Sequence, residues 1–226
     1  MDPVALLRKN ALFQGLDGPL LERVALALRR HEYARGEHVW DEGDPAVALF
    51  FVASGQLKTY RNSRAGGQII TQVIVASEAF GHPGLFITER RRGTTAEALE
   101  PSVCYSLSRD VLVEIMHEHP PLMQRMLETI AQMCWNLTTV LTDVTFQDIR
   151  RRVARMLLAL SESHGAPGPE GVRIGMKLSQ GTLAGLVGAS RENVNRALAY
   201  FVTNGDVRHE DGYFTVLRAE SLREEI

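Results

Sequence analysis

Two short helix-like stretches joined by a glycine constrain this chain more than any other feature of its sequence. In LSQGTLAGLVGASRENVNRAL, Ser179 is placed to cap a first helix and Ser190 to cap a second one. Between them, Gly188 can adopt the positive backbone angle that a tight turn needs. Two short amphipathic helices separated by such a turn predict a helix-turn-helix, the motif whose second helix enters the major groove of DNA.

The second predicted helix separates a polar face from an apolar one. At about 100° per residue, its charged and amide side chains project from one side, opposite Val194, Leu198 and Phe201. Arginine pairs with guanine N7 and O6, and glutamate accepts from cytosine N4, so the polar face is suited to reading base edges. A solvated charged face is the alternative, but the turn, the cap and the basic surroundings favour DNA contact. The predicted DNA-binding residues are Ser179, Gln180, Ser190, Arg191, Glu192, Asn195 and Arg196.

The distribution of charge supports this interpretation more than the total does. The formal net charge of −2 gives no sign of a nucleic-acid-binding protein. Residues 146–200, however, contain eight Lys and Arg against four Asp and Glu, whereas residues 1–145 contain 14 against 17. A polyanion would therefore bind the C-terminal half. The sequence contains no P-loop, GxSxG, HExxH or dinucleotide-binding pattern, so we do not expect an enzyme.

The N-terminal half has the pattern of an antiparallel β-domain. A helix-like stretch at 20–30 precedes short strand-like runs between residues 37 and 108, which Gly and Pro turns separate. This pattern predicts a sheet sandwich or barrel. Helical periodicity returns after Ser108, breaks at Pro120-Pro121, and then continues to about Val144 as one long helix.

The C-terminal part combines helices with a predicted loop and a hairpin. A helix is predicted at 148–160 and a Gly/Pro-rich surface loop at 161–171. The second helix of the motif is followed by two short strands that a turn at Asp211-Gly212 would join into a hairpin. This hairpin makes the motif a winged helix-turn-helix. We expect an α+β protein with a β-rich domain at 1–118, a long helix at 119–145 and a DNA-binding domain at 146–226.

The long helix has an apolar stripe with alternating steps of three and four residues. The stripe comprises Met123, Met126, Ile130, Met133, Leu137, Val140 and Val144, and a second row comprises Leu127, Cys134 and Leu141. Such spacing is typical of a helix that packs on a partner helix, so one row could face a second subunit and the other the chain's own sheet domain. A single buried core helix is the alternative. The predicted dimer interface is Met126, Ile130, Met133, Leu137, Val140 and Val144.

The order of these elements and the helix-turn-helix sequence resemble those of the CRP/FNR family of bacterial regulators. The resemblance implies a cyclic-nucleotide-binding-type β-roll, a long dimerisation helix and a winged helix-turn-helix. SRENVNR resembles the catabolite-activator branch, so the base-reading roles carry over onto Arg191, Glu192 and Arg196. The implied function is transcription regulation by a homodimer that binds double-stranded DNA at near-palindromic sites with TGTGA-like halves. In relatives the 161–171 region touches RNA polymerase, which implies activation.

The implied sensor pocket departs from the family's cyclic AMP site. In FGHPGLFITERRRGTTAEALEP, Gly81 and Arg92 match that site, His82 stands where the ribose-binding Glu is expected, and Gly93 replaces a phosphate-binding Ser. The expected ligand-binding set is Gly81, His82, Arg92, Gly93, Thr94, Gln132 and Met133. Because the changed groups remove hydrogen-bond partners, cyclic AMP is not expected as the effector. A different anion near the basic run at 90–92, or no effector, both stay open.

Other ligand and compartment features point to an ordinary cytoplasmic protein. His82 could be proposed as a haem ligand in a ligand-responsive repressor, but a lone loop histidine is more often solvent-exposed or hydrogen-bonded. Cys104 and Cys134 stand alone, which does not indicate a zinc site, an iron–sulfur cluster or a disulfide. No cofactor is expected. The sequence contains neither a membrane-length apolar run nor a secretory signal pattern, so we expect no membrane association.

Overall fold

The computed structural model describes residues 2–63 and 67–226 of the chain. The chain forms two compact units, Met1–Arg61 with Thr71–Trp135, and Asn62–Ile70 with Asn136–Ile226. The first unit is β-rich and the second combines helices with a small sheet, which confirms the α+β class. The predicted boundaries at residues 118 and 145 stay predictions.

Helices and strands follow one another along the chain with short connections. The α-helices are α1 (Pro3–Lys9), α2 (Gly18–Ala27), α3 (His82–Phe86), α4 (Arg109–Glu118), α5 (Pro120–Phe146), α6 (Ile149–His164), α7 (Gln180–Val187), α8 (Arg191–Thr203) and α9 (Ala219–Glu224), with a 3₁₀ turn at Ala11–Phe13. The strands are β1 (Arg29–Tyr33), β2 (His38–Trp40), β3 (Ala48–Ser54), β4 (Leu57–Asn62), β5 (Gln68–Ile74), β6 (Ala79–Phe80), β7 (Thr95–Ala98), β8 (Ser102–Ser108), β9 (Gly165–Gly168), β10 (Gly171–Ile174), β11 (Val207–Glu210) and β12 (Tyr213–Val216).

The β-rich unit is built from two antiparallel sheets, as the turn-punctuated strand pattern predicted. Their strand orders are β1-β8-β3-β6 and β2-β7-β4-β5. Strand β3, ALFFVAS, is almost wholly buried, and Phe50 lies opposite Ser106 and Phe80 in the ladders on either side. A continuous apolar run, in which polar residues do not alternate with apolar ones, is suited to a central strand that is covered on both faces.

Two hydrophobic cores stabilise this unit. One contains Trp40, Phe50 and Phe80, whose ring centres lie 5.1–5.6 Å apart. The other joins the N-terminal helices and the 3₁₀ turn to the sheet, with Phe13 against Phe51, and it extends to Met126 of α5. Burial of large apolar side chains of this kind contributes about 1.5–3 kcal/mol each, so the two clusters dominate the stability of the unit.

Two local predictions were wrong. The helix expected at 20–30 ends at Ala27, because Arg29–Tyr33 pairs with β8 and a sheet ladder replaces the helical hydrogen bonds. The loop expected at 161–171 is also structured, since α6 continues to His164 and β9 pairs with β10. Strand β9 is an edge strand, which tolerates its proline.

Candidate nucleic-acid interface

The first helix of the predicted motif forms as its local signals indicate. The Ser179 hydroxyl oxygen accepts a hydrogen bond from the Thr182 backbone N–H at 3.0 Å and caps α7. Gly188 ends the helix at φ 63° and ψ 44°, in the left-handed region where glycine has no Cβ penalty. The cap and the turn are therefore both confirmed.

The second helix presents the predicted polar face. The Ser190 hydroxyl oxygen accepts from the Asn193 N–H at 3.3 Å at the start of α8. The buried side consists of Val194, Ala197, Leu198 and Phe201, whereas Arg191, Glu192 and Arg196 are exposed. Burial of the apolar side fixes the rotation of α8 about its axis, so these three charged side chains all point to solvent from the first turns of the helix.

The remaining predicted contact residues differ in accessibility. Ser179 is exposed, and Gln180, the first residue of α7, is half-buried. Asn195 is also half-buried, and its Oδ1 is enclosed without a hydrogen-bond partner in the part of the chain that the structure describes. A buried amide oxygen without a partner is costly, which sets Asn195 apart from the exposed members of the set.

An arginine from α6 braces the turn. Arg152 Nη1 donates to the Val187 carbonyl oxygen at 2.8 Å and to the Gly188 carbonyl oxygen at 3.3 Å. Carbonyl groups at a helix C-terminus lack intrahelical partners and carry partial negative charge, so a guanidinium is well placed there. This bond ties the end of α7 to α6 and holds the corner from which α8 starts.

A groove of about 520 Å³ runs between the start of α6 and the outer side of α8. Asp148, Arg150, Asn193, Arg196 and Tyr200 line it. The Arg150 guanidinium lies 4.5 Å from the centre of the Tyr200 ring, a cation–π contact that holds this charge beside Arg196. The sequence analysis did not select Arg150 or Tyr200, since only the packing of α6 on α8 brings them together.

The wing is a tight hairpin. Asp211 and Gly212 both have positive φ, 52° and 84°, the combination that a two-residue type I′ connection requires. Strands β11 and β12 pair with Val207 opposite Val216, which confirms the predicted closure at this dipeptide. On the neighbouring strand β10, the Arg173 guanidinium lies 3.8 Å from the centre of the Tyr213 ring.

The arginine that matches the phosphate-binding position is turned into the β-rich unit. Arg92 is buried, its Nη1 and Nη2 donate to the carbonyl oxygens of Gly81 at 2.9 Å and Ala48 at 2.7 Å, and its guanidinium lies 4.0 Å from the centre of the Trp40 ring. Burial lowers the pKa of Arg92 to about 10. The Gly81 and Ala48 carbonyl oxygens and the Trp40 ring therefore hold the guanidinium from within the protein, while its Nε is enclosed without a hydrogen-bond partner among the described residues.

His82 is not the exposed or hydrogen-bonded loop residue that was expected. It begins α3 and is buried, and its Nδ1 has no hydrogen-bond partner among the described residues. Burial lowers the pKa of His82 to about 4, which keeps the imidazole neutral. The side chain lines a cavity of about 300 Å³ with Asn10 and Thr129, and Arg92 is not part of that lining.

The other members of the expected ligand set differ in accessibility. Gly93 is exposed, and a Cβ added to it would meet no described atom within 4 Å. The Thr94 carbonyl oxygen accepts a hydrogen bond from Trp40 Nε1 at 2.8 Å. On α5, Gln132 is exposed and Met133 is half-buried. Gly81 is the member of the set whose hydrogen bond with Arg92 the structure describes.

The apolar row predicted as the dimer interface is buried at its start and exposed toward its end, where Leu137, Val140 and Val144 expose 53%, 39% and 47% of their surface. Met126 is 1% exposed within the core of its own unit, and Ile130 packs partly buried against the same core. Met126 therefore cannot be an open interface residue, because its side chain is buried in that core. We name the exposed ridge as Leu127, Cys134, Leu137, Leu141 and Val144, which combines the second row with Leu137 and Val144 of the first.

A β-roll, a long helix and a winged helix-turn-helix together define a DNA-binding regulator with an N-terminal sensor-type domain. In the comparisons, residues 30–119 match the cyclic nucleotide-binding domain and residues 151–225 match the Crp-like helix-turn-helix domain. The chain belongs to the CRP/FNR family of transcription regulators. The similar proteins are regulators and not enzymes.

Similar proteins span nearly the whole chain. The "CRP-like cAMP-activated global transcriptional regulator" of Mycobacterium tuberculosis is 29% identical over 217 residues, 96% of both chains. The "Cyclic AMP receptor protein" of Thermus thermophilus is 27% identical over 218 residues, 96% of this chain and 97% of that protein. The structure of FixK2 from Bradyrhizobium japonicum matches the fold with a TM-score of 0.78 at 17% identity, over 88% of this chain and 96% of that one.

Residues 2–63 and 67–226 contain neither a membrane-spanning helix nor a clustered set of metal-ligating side chains. Within those ranges, no helix combines the length and the apolarity needed to cross a membrane. The same ranges contain no cluster of three or more His, Cys, Asp and Glu side chains arranged to hold a metal ion.

Proposed function

We propose that the protein is a homodimeric, sequence-specific transcription regulator that reads near-palindromic DNA with TGTGA-like half-sites. The observation that carries this proposal is the exposed face of α8, where Arg191, Glu192 and Arg196 stand opposite a fully packed apolar side. A helix held this way can lie in a major groove with its N-terminal turns toward the base edges.

The three side chains have distinct proposed roles. Each arginine carries a planar fork that can donate two parallel hydrogen bonds to N7 and O6 of one guanine. Glu192 can accept from the amino group of a cytosine. TGTGA and its complement offer both guanines and cytosines, so this donor and acceptor set is complementary to such a half-site.

The test of base reading is a substitution on α8 measured against matched DNA duplexes. Arg196→Ala should weaken binding to a TGTGA palindrome by about 1–3 kcal/mol and relax the preference at one base pair, because a bidentate contact is lost. The control is Arg223→Ala, which removes the same charge from α9, where Arg223 pairs with Glu220. Fluorescence anisotropy on the palindrome and on single-base variants would refute the role if Arg196→Ala weakened all duplexes equally.

The proposed dimer contact is the exposed ridge of α5. Its positions follow steps of seven, three, four and three residues, which places them along one side of the helix. Leu127, Leu137 and Leu141 expose 63%, 53% and 68% of their surface, more apolar area than a single solvated helix normally presents. A second copy of the same helix offers the same ridge, so a two-fold contact would cover both.

Association through this ridge can be separated from folding by two matched leucine substitutions. Leu137→Glu should dissociate the dimer in sedimentation experiments, because two unpaired carboxylates would enter one apolar contact. Leu26→Glu is the control, since Leu26 on α2 is 89% exposed. In addition, oxidation should produce a reducible dimer through Cys134 on the ridge but none in Cys134→Ser. A folded Leu137→Glu variant that remains dimeric would contradict the proposal.

We further propose that cyclic AMP is not the effector, although two of the similar proteins are named for it. The support is Arg92, whose Nη1 and Nη2 already donate to protein carbonyl oxygens, and the replacement of expected partners by His82 and Gly93. Calorimetry should give no saturable cyclic AMP isotherm at micromolar concentrations. A large gain in DNA affinity on adding cyclic AMP would overturn this proposal, because a ligand shifts an equilibrium only through differential affinity.

Activation through RNA polymerase is the last part of the proposal. It rests on the resemblance, which assigns polymerase contact to the 161–171 region. In this chain the region comprises the end of α6 and the β9–β10 hairpin, whose residues 166–170 are exposed. Purified protein should raise transcript yield from a promoter carrying the palindrome in vitro, and a fall in yield would show repression instead.

A further inference from the structure

Three arginines of the β-rich unit surround a groove of about 360 Å³ that the DNA-reading function does not use. Arg90, Arg91 and Arg109 line it together with the segment Pro45–Val47, and Glu89 and Asp110 also contribute to the lining. Arg90 and Arg91 belong to the basic run at 90–92, but the structure separates them from Arg92, which turns into the core. The groove is therefore a different place from the Arg92 position.

Backbone hydrogen bonds hold the segments that carry these arginines. The Ala46 N–H donates to the Arg90 carbonyl oxygen at 2.7 Å, and the Arg109 N–H donates to the Val47 carbonyl oxygen at 2.8 Å. Pro45 and Arg91 form a further bridge in the antiparallel sense. The segment 45–47 thus links the loop that carries Arg90 and Arg91 to Arg109 at the start of α4. The groove therefore exists before any ligand arrives, and little ordering is needed on binding.

The guanidinium groups of Arg91 and Arg109 are held by hydrogen bonds to backbone carbonyl oxygens but are only partly neutralised. The Arg109 side chain is 23% exposed, its Nε donates to the Leu85 carbonyl oxygen at 2.9 Å, and its Nη1 lies 3.6 Å from a carboxylate oxygen of Asp110. That carboxylate is 94% exposed, so water screens it strongly. The Arg91 Nη1 donates to the Gly43 carbonyl oxygen at 2.8 Å. Each of these side chains keeps further N–H groups for an anion.

Arg90 adds a conformational feature to the charge. Its φ is 47°, in the left-handed region that non-glycine residues seldom adopt, and its side chain is exposed. Strained backbone of this kind persists where the surroundings fix it, as the Ala46 bond does here, and it is often found at ligand sites. The strain holds an arginine at the rim of the groove where a glycine would fit the backbone better.

We propose that this groove binds a compact phosphate-bearing small molecule. Arginine forks match the oxygens of a phosphate group and are more weakly hydrated than lysine, which favours a phosphate or pyrophosphate group as the recognised chemistry. The volume is at the lower end of small-molecule sites. Glu89 and Asp110 in the lining disfavour an extended acidic peptide, which would bring many carboxylates past them, but leave space for one compact anion between the arginines.

Inorganic pyrophosphate is the probe for this proposal, titrated by calorimetry into the full-length protein without DNA. We expect saturable one-site binding that weakens as salt is raised. Arg90→Ala should weaken it about tenfold or more, since charge-assisted hydrogen bonds are lost. Glu89→Gln should strengthen it severalfold, a gain that a purely structural role of the groove would not produce. Both residues are exposed, so the fold should survive, as far-UV circular dichroism would verify.

Two control variants separate this groove from other basic surfaces. Arg35→Ala removes an exposed arginine of the same unit outside the groove, and Arg196→Ala removes one from the DNA-reading helix. Neither should change the pyrophosphate affinity. The proposal is overturned by absent saturation, by equal losses in the control variants, by a loss of ligand-free DNA affinity in Arg90→Ala, or by a glutamate octapeptide that competes with pyrophosphate. Pyrophosphate binding and DNA binding are measured separately, so neither result decides the other.

Discussion

The turn between α7 and α8 allows a quantitative prediction, because the backbone cost of replacing Gly188 can be separated from any steric clash. At φ 63° and ψ 44°, Gly188 lies in the left-handed region. A Cβ added there would lie 3.5 Å from Val144 Cγ2 and 3.8 Å from Arg152 Nη1, which are ordinary contacts. Gly188→Ala therefore introduces no collision, and its cost comes from the backbone alone, about 1–2 kcal/mol. Alanine also restricts the unfolded chain, which offsets about 0.4–1 kcal/mol of that cost.

A glycine one helix earlier provides the matched comparison. Gly181 lies in α7 with no positive φ, and its added Cβ would lie 3.7 Å from Ser179 Oγ. Gly181→Ala should stabilise the second unit by about 0.5–1 kcal/mol, because alanine loses less entropy in a helix. Gly188→Asn should lie between the two alanine variants, since asparagine tolerates the left-handed region better than alanine does.

Hydrogen exchange of the α7 and α8 amides is the appropriate assay. Both tryptophans, Trp40 and Trp135, lie in the first unit, so their fluorescence would report the wrong part of the chain. Gly188→Ala should lower protection across α7 and α8, and Gly181→Ala should raise it. If Gly188→Ala and Gly181→Ala changed amide protection in the same direction, the backbone cost assigned to position 188 would be wrong.

Two further predictions concern the β-rich unit. Arg92→Met should destabilise it by about 2–4 kcal/mol in urea unfolding, because the buried carbonyl oxygens of Gly81 and Ala48 lose their donor. The control is Arg91→Met, which removes an exposed arginine and should cost less than about 1 kcal/mol. Equal effects would contradict the inward placement of Arg92. For His82, burial lowers the pKa from its ordinary 6.5 to about 4 in the folded protein. As the pH is lowered from 6.5 to 4, the unfolded chain therefore takes up a proton that the folded protein does not, and the stability of the unit should fall by about 3 kcal/mol. His82→Gln should flatten this part of the pH profile, and an unchanged slope would contradict the burial of His82.

The helix-turn-helix could be predicted in detail because its signals are local. The caps at Ser179 and Ser190 act on N–H groups three residues away, and Gly188 is selected by its own backbone angle. The buried side of α8 follows from helical periodicity. The antiparallel sheets of the first unit were predicted for the same reason, since turns and strand runs alternate along the chain.

Features that depend on distant packing could not be predicted. Arg92 carries a surface-type side chain in a basic run, and only the folded position of Trp40 shows why it is buried. The rotation of α5 places Met126 in its own core, although periodicity alone fits two rows equally well. The pairing of β9 with β10 also overrode a Gly/Pro composition that favours a loop, because an edge strand needs few ladder donors.

The most direct test of the central claim compares one palindromic duplex with its half-sites and with a spacing variant. Two copies of α8 in a symmetric dimer should require half-site centres about one helical turn apart. Anisotropy titrations should therefore show two protomers bound per palindrome, with much weaker binding to a single half-site. Inserting about five base pairs between the halves should remove the tight binding, because it turns one half-site to the opposite side of the duplex. A single half-site bound as tightly as the palindrome, or binding unaffected by the insertion, would contradict the account.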